Sequence, residues 1–95
     1  MSNQNLPILY IKSGCPWCTE ALTFFSAQGI DLDIRDVNKS AKYMSDMVAL
    51  TAQTKTPTFS FDDFVVADFD VKEFLAALKE SPKIHERLGF KDWEN

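Results

Sequence analysis

Cys15 and Cys18 are the only cysteines in the chain, and Pro16 and Trp17 separate them. Two thiols at that spacing can close a small disulfide ring and reopen it. That is two-electron redox chemistry within one turn of backbone. A thiolate attacks a disulfide, whereas a thiol does not. Cys15 is expected at the mouth of a helix that begins near Pro16. Free backbone N–H groups and the positive end of the helix dipole favour a negative sulfur there. Lys12 stands three residues earlier and adds a positive charge if its side chain turns towards the site. Cys15 is therefore the expected nucleophile. Cys18, one turn into the helix and less exposed, is the expected resolving thiol. Pro16 stiffens the turn between them, and Trp17 offers an aromatic face on which a substrate can pack. Half of a zinc site is one competing reading. Zinc wants about four ligands, but only His85 adds to the pair and it lies far along the chain. Two inert core cysteines are another, opposed by Gly14, Pro16 and Trp17, which make a poor helix core.

The elements that must position this pair are short. Residues 6–12 read as a buried strand around Ile8-Leu9-Tyr10-Ile11, broken by Ser13-Gly14. A helix follows from Pro16, where proline's missing N–H costs nothing. Ala21, Leu22, Phe24 and Phe25 form its apolar face, and Gly29 stops it. Leu32, Ile34 and Val37 alternate with Asp31, Asp33, Arg35 and Asp36 as a second strand. Ser40 is the expected cap of a second helix with Tyr43, Met44, Met47, Val48 and Leu50 on its buried side. Residues 57–61 and 64–66 form a hairpin about the turn Asp62-Asp63. Asp70 caps a third helix with Val71, Phe74, Leu75 and Leu78 at helical spacing. Ser81-Pro82 opens a last short helical stretch to about Leu88, and residues 89–95 form a tail. The order is β-α-β-α-β-β-α plus a short C-terminal helix. The first two strands, joined by a helical crossover, are expected to be parallel and the last pair antiparallel. This is an α/β fold with a four-stranded mixed sheet flanked by helices on both faces.

The chain has 95 residues, 45% of them hydrophobic, with a net charge of −4. One domain spanning residues 1–95 is expected. The ten basic residues are scattered and form no stripe, which gives no footprint for nucleic acid. No apolar run approaches the roughly 20 residues of a bilayer span. The start Met1-Ser2-Asn3-Gln4-Asn5 carries no basic patch ahead of an apolar block, so no secretory leader is expected. Two cysteines in a short chain suit a reducing compartment, and a cytoplasmic location is expected.

The segment Ile8-Leu9-Tyr10-Ile11-Lys12-Ser13-Gly14-Cys15-Pro16-Trp17-Cys18 resembles the active-site segment of glutaredoxins, with its strand, lysine and Cys-Pro-aromatic-Cys at a helix start. Thr56-Pro57 is similar to the family's Thr-Val-Pro element, with Thr56 in place of valine and Lys55 where threonine is usual. Val66-Ala67-Asp68-Phe69-Asp70 stands where the family has Gly-Gly-x-Asp before its last helix. The resemblance covers residues 6–80. It implies a thioredoxin-like fold and a dithiol oxidoreductase that needs no tightly bound cofactor or metal; nothing in the sequence demands more than a monomer. Its substrate would be a protein disulfide or a glutathione mixed disulfide. It also implies a cis Pro57 against the sulfurs, which leaves a backbone edge open for an extended substrate. Trp17, Thr56, Pro57, Asp68, Phe69 and Asp70 would line that substrate or glutathione groove.

Both glycines of the Gly-Gly-x-Asp element are replaced here, by Ala67 and Asp68, and Val71 follows Asp70 where a second acidic residue is common. Asp68 brings a negative charge to where a substrate carboxylate would lie. Glutathione with its reductase and a thioredoxin reductase system thus both stand as electron sources. An iron–sulfur carrier and a non-enzymatic binding module of the same fold are the alternatives, and Pro16 argues against the cluster.

Other residues read as structural. His85 falls in a charged helical stretch, Met44 and Met47 at core spacing, and Asp62-Asp63 in a turn with too few oxygen ligands for a metal. Phe69 is core or a groove wall. Trp93 in the tail either docks back or stays free.

Overall fold

A computed structural model describes residues 6–89. Trp93, expected either to dock back or to stay free, lies outside the described residues. The fold comprises four strands, β1 (Ile8–Ile11), β2 (Asp33–Asp36), β3 (Thr58–Phe61) and β4 (Phe64–Ala67), and four helices. These are α1 (Pro16–Ala27), α2 (Ala41–Thr51), α3 (Val71–Lys79) and α4 (Pro82–Leu88). The order along the chain is the one expected from the sequence. The sheet runs β2-β1-β3-β4. β1 pairs with β2 in parallel, Leu9 against Ile34, and with β3 antiparallel, Leu9 against Phe59. β3 and β4 form the antiparallel hairpin, Phe59 against Val66. This is a thioredoxin-like fold.

Side chains alternate across a strand, and β1 uses both faces. Leu9 points into a large cluster with Ala21 and Phe25 of α1, Phe59 and Phe61 of β3, and Phe74 and Leu78 of α3. Tyr10 points the other way, into a smaller cluster with Val37 and Met47, against which Ile8, Tyr43 and Met44 pack. The sheet is thus covered on one face by α1, α3 and α4 and on the other by α2. β1 lies between two partner strands, so the loop that leaves its end at Lys12 starts from a fixed point.

Local signals set the helix ends. The Ser40 hydroxyl accepts the Tyr43 N–H at 3.3 Å. Asp70 and Glu73 form a reciprocal capping box, at 2.8 Å and 3.0 Å. α1 closes on Gly29 at φ +72°, with Gly29 N–H to Ser26 O at 3.0 Å and Ile30 N–H to Phe25 O at 3.1 Å. That is a Schellman closure, and its positive φ suits glycine. α4 is pinned to the hairpin by Arg87, which pairs with Asp62 and lies 4.8 Å over the Phe61 ring.

Three apolar positions depart from expectation. Ile34 is 50% exposed because β2 is an edge strand. Val48 and Leu50, expected on the buried side of α2, are exposed, and Met47 alone of that helix is fully buried. The small cluster under α2 takes Met47, with Tyr43 and Met44 packed against it, and does not extend to Val48 and Leu50. Among the described residues, no helix is long and apolar enough to cross a membrane.

Candidate redox site at the start of the first helix

The chain turns from β1 into α1 through Ser13 and Gly14, the latter at φ +85°, a conformation that favours glycine. The Lys12 carbonyl accepts the Cys15 N–H at 3.2 Å, and the Ser13 hydroxyl donates to the Asp36 carboxylate at the end of β2. The loop is therefore tied to both neighbouring strands. Cys15 is the N-cap of α1, in extended backbone conformation, with Pro16 in the first turn. Its Sγ takes the place a serine or aspartate oxygen usually fills, accepting the Cys18 N–H at 3.2 Å.

Both cysteines are free thiols, Cys15 half-buried and Cys18 only 2% exposed. Thr56, 41 residues further along, meets them from the β3 side. Its hydroxyl lies 3.8 Å from Cys15 Sγ, and Cys15 Sγ lies 4.0 Å from its carbonyl oxygen. The Thr56–Pro57 peptide bond is cis, and both residues are buried. Thr58 fastens this corner by donating its hydroxyl to the Lys55 carbonyl at 3.0 Å.

The environment separates the two sulfurs. Burial pushes the Cys15 thiol up, but hydrogen bonds from the Cys18 side chain and N–H, the Thr56 hydroxyl and the Trp17 N–H outweigh it. The net result is a pKa below the ordinary cysteine value. Burial also pushes the Cys18 thiol up, and its role as donor to the Cys15 sulfur pushes it further. The Thr56 hydroxyl and the Lys12 backbone oppose this only in part, so Cys18 stays above the ordinary value. The arrangement favours ionisation of the more exposed sulfur, Cys15, over that of the buried Cys18. Alkylation by iodoacetamide as a function of pH is expected to modify Cys15 first, with a midpoint below that of an unstructured cysteine peptide. A midpoint at or above the peptide's contradicts the cap geometry as the source of the shift.

The remaining expected site residues divide into two groups. Trp17, Asp68, Phe69 and Asp70, with Glu73, line a shallow cavity of about 160 Å³. Trp17 is 54% exposed, while Phe69 is buried against Phe74 at 5.4 Å, so Phe69 is both core and the floor of that cavity. Asp68 holds φ +54°, and its N–H donates to the Pro57 carbonyl at 2.9 Å. Lys12 reaches the site through its carbonyl, and Lys55 is exposed with its N–H bonded to the Gln53 side chain. His85 is half-buried on α4. Two contributors escape a reading of the sequence. Glu73 is signalled by the Asp70-x-x-Glu73 capping pattern, and the Ser13–Asp36 contact joins positions 23 apart with no local signal. Among the described residues, no group of three or more His, Cys, Asp or Glu side chains is placed to hold a metal ion.

Comparison with known proteins agrees with this fold. The family model described as Glutaredoxin matches residues 8–66. No curated protein sequence matches the chain. Among solved structures, a glutaredoxin from Archaeoglobus fulgidus superposes with a TM-score of 0.69 at 17% identity, covering 80% of this chain and 88% of the other. A buckwheat glutaredoxin–glutathione complex has a TM-score of 0.69 at 15% identity, covering 92% and 83%. A dithiolic glutaredoxin from Trypanosoma brucei brucei has a TM-score of 0.65 at 17% identity, covering 88% and 87%.

Proposed function

This chain belongs to the glutaredoxin family, and we propose that it is a thiol–disulfide oxidoreductase working by a dithiol mechanism on protein disulfides or glutathione mixed disulfides. One observation carries the reading: Cys15 Sγ caps α1, accepts the Cys18 N–H at 3.2 Å and is lowered in pKa, while Cys18 lies buried beneath it.

The Cys15 thiolate attacks one sulfur of the substrate disulfide. A bond forms between them, the substrate S–S bond breaks, and the other sulfur leaves as a thiolate. Cys18 then attacks Cys15 Sγ, and its proton passes to the departing substrate sulfur. The Cys15–Cys18 disulfide closes, and the second substrate thiol leaves. Two electrons have passed from the protein to the substrate. Trp17 supplies a packing face, and Thr56 and Pro57 form the edge along which an extended substrate lies; Lys12, expected to assist by its charge, meets Cys15 through its backbone carbonyl. No tightly bound cofactor takes part, and the protein acts as a cytoplasmic monomer.

The reduced state is restored either by glutathione or by a thioredoxin reductase. The buckwheat neighbour's glutathione complex supports the first. Ala67 and Asp68, in place of the family's glycines, support the second. Assay with a small mixed disulfide and each reductant system separates the two. A Cys18→Ser variant tests the mechanism itself. It is expected to capture a protein disulfide as a stable mixed disulfide on Cys15, visible by mass spectrometry, while turnover on that substrate stops. Continued turnover would show that Cys18 does not resolve the adduct.

A further inference from the structure

The contact between Ser13 and Asp36 takes no part in the exchange chemistry above, yet it reaches the loop that carries the nucleophile. Asp36 is the last residue of β2 and pairs in register with Ile11, the last residue of β1. The N–H of the next residue, Val37, donates to the Ile11 carbonyl at 2.9 Å. The Asp36 backbone is therefore fixed relative to the point where the β1–α1 loop begins. Its side chain is fixed as well. Oδ1 accepts the Asn38 N–H at 2.9 Å, the local turn that an aspartate makes with the N–H two residues on. That leaves Oδ2 aimed at the loop, where it accepts the Ser13 hydroxyl.

Ser13 stands two residues before Cys15, and the joint between them is Gly14. At φ +85°, with nothing within 4 Å of where a Cβ would sit, Gly14 is not held by packing. Beyond that joint, Cys15 is held by its N–H to the Lys12 carbonyl at 3.2 Å and by its sulfur as the cap of α1. Before it, the loop is held by Ser13 and Asp36. The bond is charge-assisted. The Ser13 hydroxyl above all, joined by the Asn38 N–H and the Lys39 charge, holds the Asp36 carboxyl below the ordinary carboxylate value, so the acceptor is ionised at neutral pH. The cysteine sulfur meets the Cys18 N–H at 3.2 Å and the Thr56 hydroxyl at 3.8 Å only while the loop sits in register with both.

Resting on the oxidoreductase reading above, we propose that Asp36 is a positioning residue for the Cys15 nucleophile, acting through the Ser13 hydroxyl. It is a strut from the end of β2 that keeps the turn from Lys12 to Cys15 where the sulfur meets its two donors. The Asp36 carboxylate bonds to Ser13 and Asn38 and to neither cysteine, and it exchanges no proton in the reaction. What it supplies is preorganisation, because the loop need not be gathered before the sulfur attacks. A sulfur that drifts from the Cys18 N–H and the Thr56 hydroxyl also loses the bonds that stabilise its charge. The strut therefore bears on the place of the thiol and on its acidity together.

The test compares Ser13→Ala, Asp36→Ala and the double variant with the wild type. It reads the iodoacetamide midpoint of Cys15, the rate of bis(2-hydroxyethyl) disulfide reduction and thermal melting. Each single variant is expected to raise the midpoint by roughly half a pH unit, through weakened hydrogen bonds to the thiolate. Each should slow reduction by roughly tenfold, less than the ~10²-fold that a misplacement of about 1 Å can cost. Melting should fall by only a few degrees, since the bond lies at the surface. Ser13→Ala added to Asp36→Ala should move neither midpoint nor rate further, because the two side chains form one link. Asp36→Asn is expected to recover at least half of either loss, with its carbonyl accepting the Asn38 N–H and its amide donating to Ser13 Oγ. Asp46→Ala, which removes an exposed carboxylate paired with Lys42 at 3.2 Å, should leave midpoint and rate where they are. Wild-type midpoints in both single variants overturn the inference, as do losses that add in full in the double variant. Asp36→Asn behaving as Asp36→Ala, or an equal rise in Asp46→Ala, overturns it in favour of charge. A wild type that reduces no disulfide defeats the oxidoreductase reading, while the midpoints, which need no turnover, still decide whether Asp36 holds Cys15.

Discussion

Cys15→Ser is expected to lose at least roughly 10³-fold in disulfide reduction, the scale seen when a nucleophile is removed, or about 4 kcal/mol or more of barrier. The reason lies in the atom rather than the fold. Serine is a preferred N-cap, and its hydroxyl can accept the Cys18 N–H that Cys15 Sγ now accepts at 3.2 Å. The loop, the helix start and the Thr56 contact have no cause to move, so the variant should melt as the wild type does. The hydroxyl does not ionise near neutral pH, and a protonated oxygen does not attack a disulfide. Cys18 offers no rescue, because it is 2% exposed and burial pushes its thiol up. The comparison therefore separates chemistry from stability in one substitution. Reduction of bis(2-hydroxyethyl) disulfide alongside thermal melting reads both. Residual activity above about a tenth of wild type would mean that another group delivers the electrons.

The parts of this site that lie close together along the chain are legible in the amino-acid sequence. The Cys15–Cys18 spacing, proline in the first turn, Ser40 and Asp70 as caps and Gly29 as a stop are all local signals, and helix boundaries answer to them within a turn or two. The arrival of Thr56 at Cys15 is different. It spans 41 positions and depends on β3 pairing with β1, which no local pattern dictates. Only the resemblance of Thr56-Pro57 to a family element points to it. Exposure of Ile34, Val48 and Leu50 does not follow from their type, because apolar periodicity marks a face without saying how far a neighbouring element covers it. Phe69 shows the same ambiguity resolved both ways, as a buried ring whose other side floors the cavity. The replacement of glycine by Asp68 is visible in the sequence, but its meaning is not. Only the positive φ and the engaged N–H show that Asp68 keeps the turn while adding a charge.

Phe59→Ala is expected to cost about 3–5 kcal/mol, as for other large-to-small changes at buried phenylalanines. The ring is fully buried at the centre of the larger cluster. It stacks on Phe25 at 5.3 Å and meets Phe74 edge-on at 4.9 Å and Phe64 at 6.0 Å. Three elements thus share one side chain, and the hole left by alanine cannot be closed by moving any one of them. Against a total stability of about 5–15 kcal/mol for a domain of this kind, that removes a large fraction, and the melting temperature should fall by roughly 12 °C or more. The effect should reach the sulfurs. Phe59 lies next to Thr58, whose hydroxyl fastens the Lys55 carbonyl and so the corner that carries Thr56. Loosening β3 relaxes the Thr56 hydroxyl that helps to hold Cys15 low. The alkylation midpoint of Cys15 should therefore rise in Phe59→Ala at temperatures where the variant is still folded. Phe59→Leu, which refills most of the volume, should recover more than half of the lost stability and return the midpoint towards wild type. Loss of stability without any change in the midpoint would mean that the cap of α1 alone sets the acidity of Cys15, with the β3 corner contributing nothing.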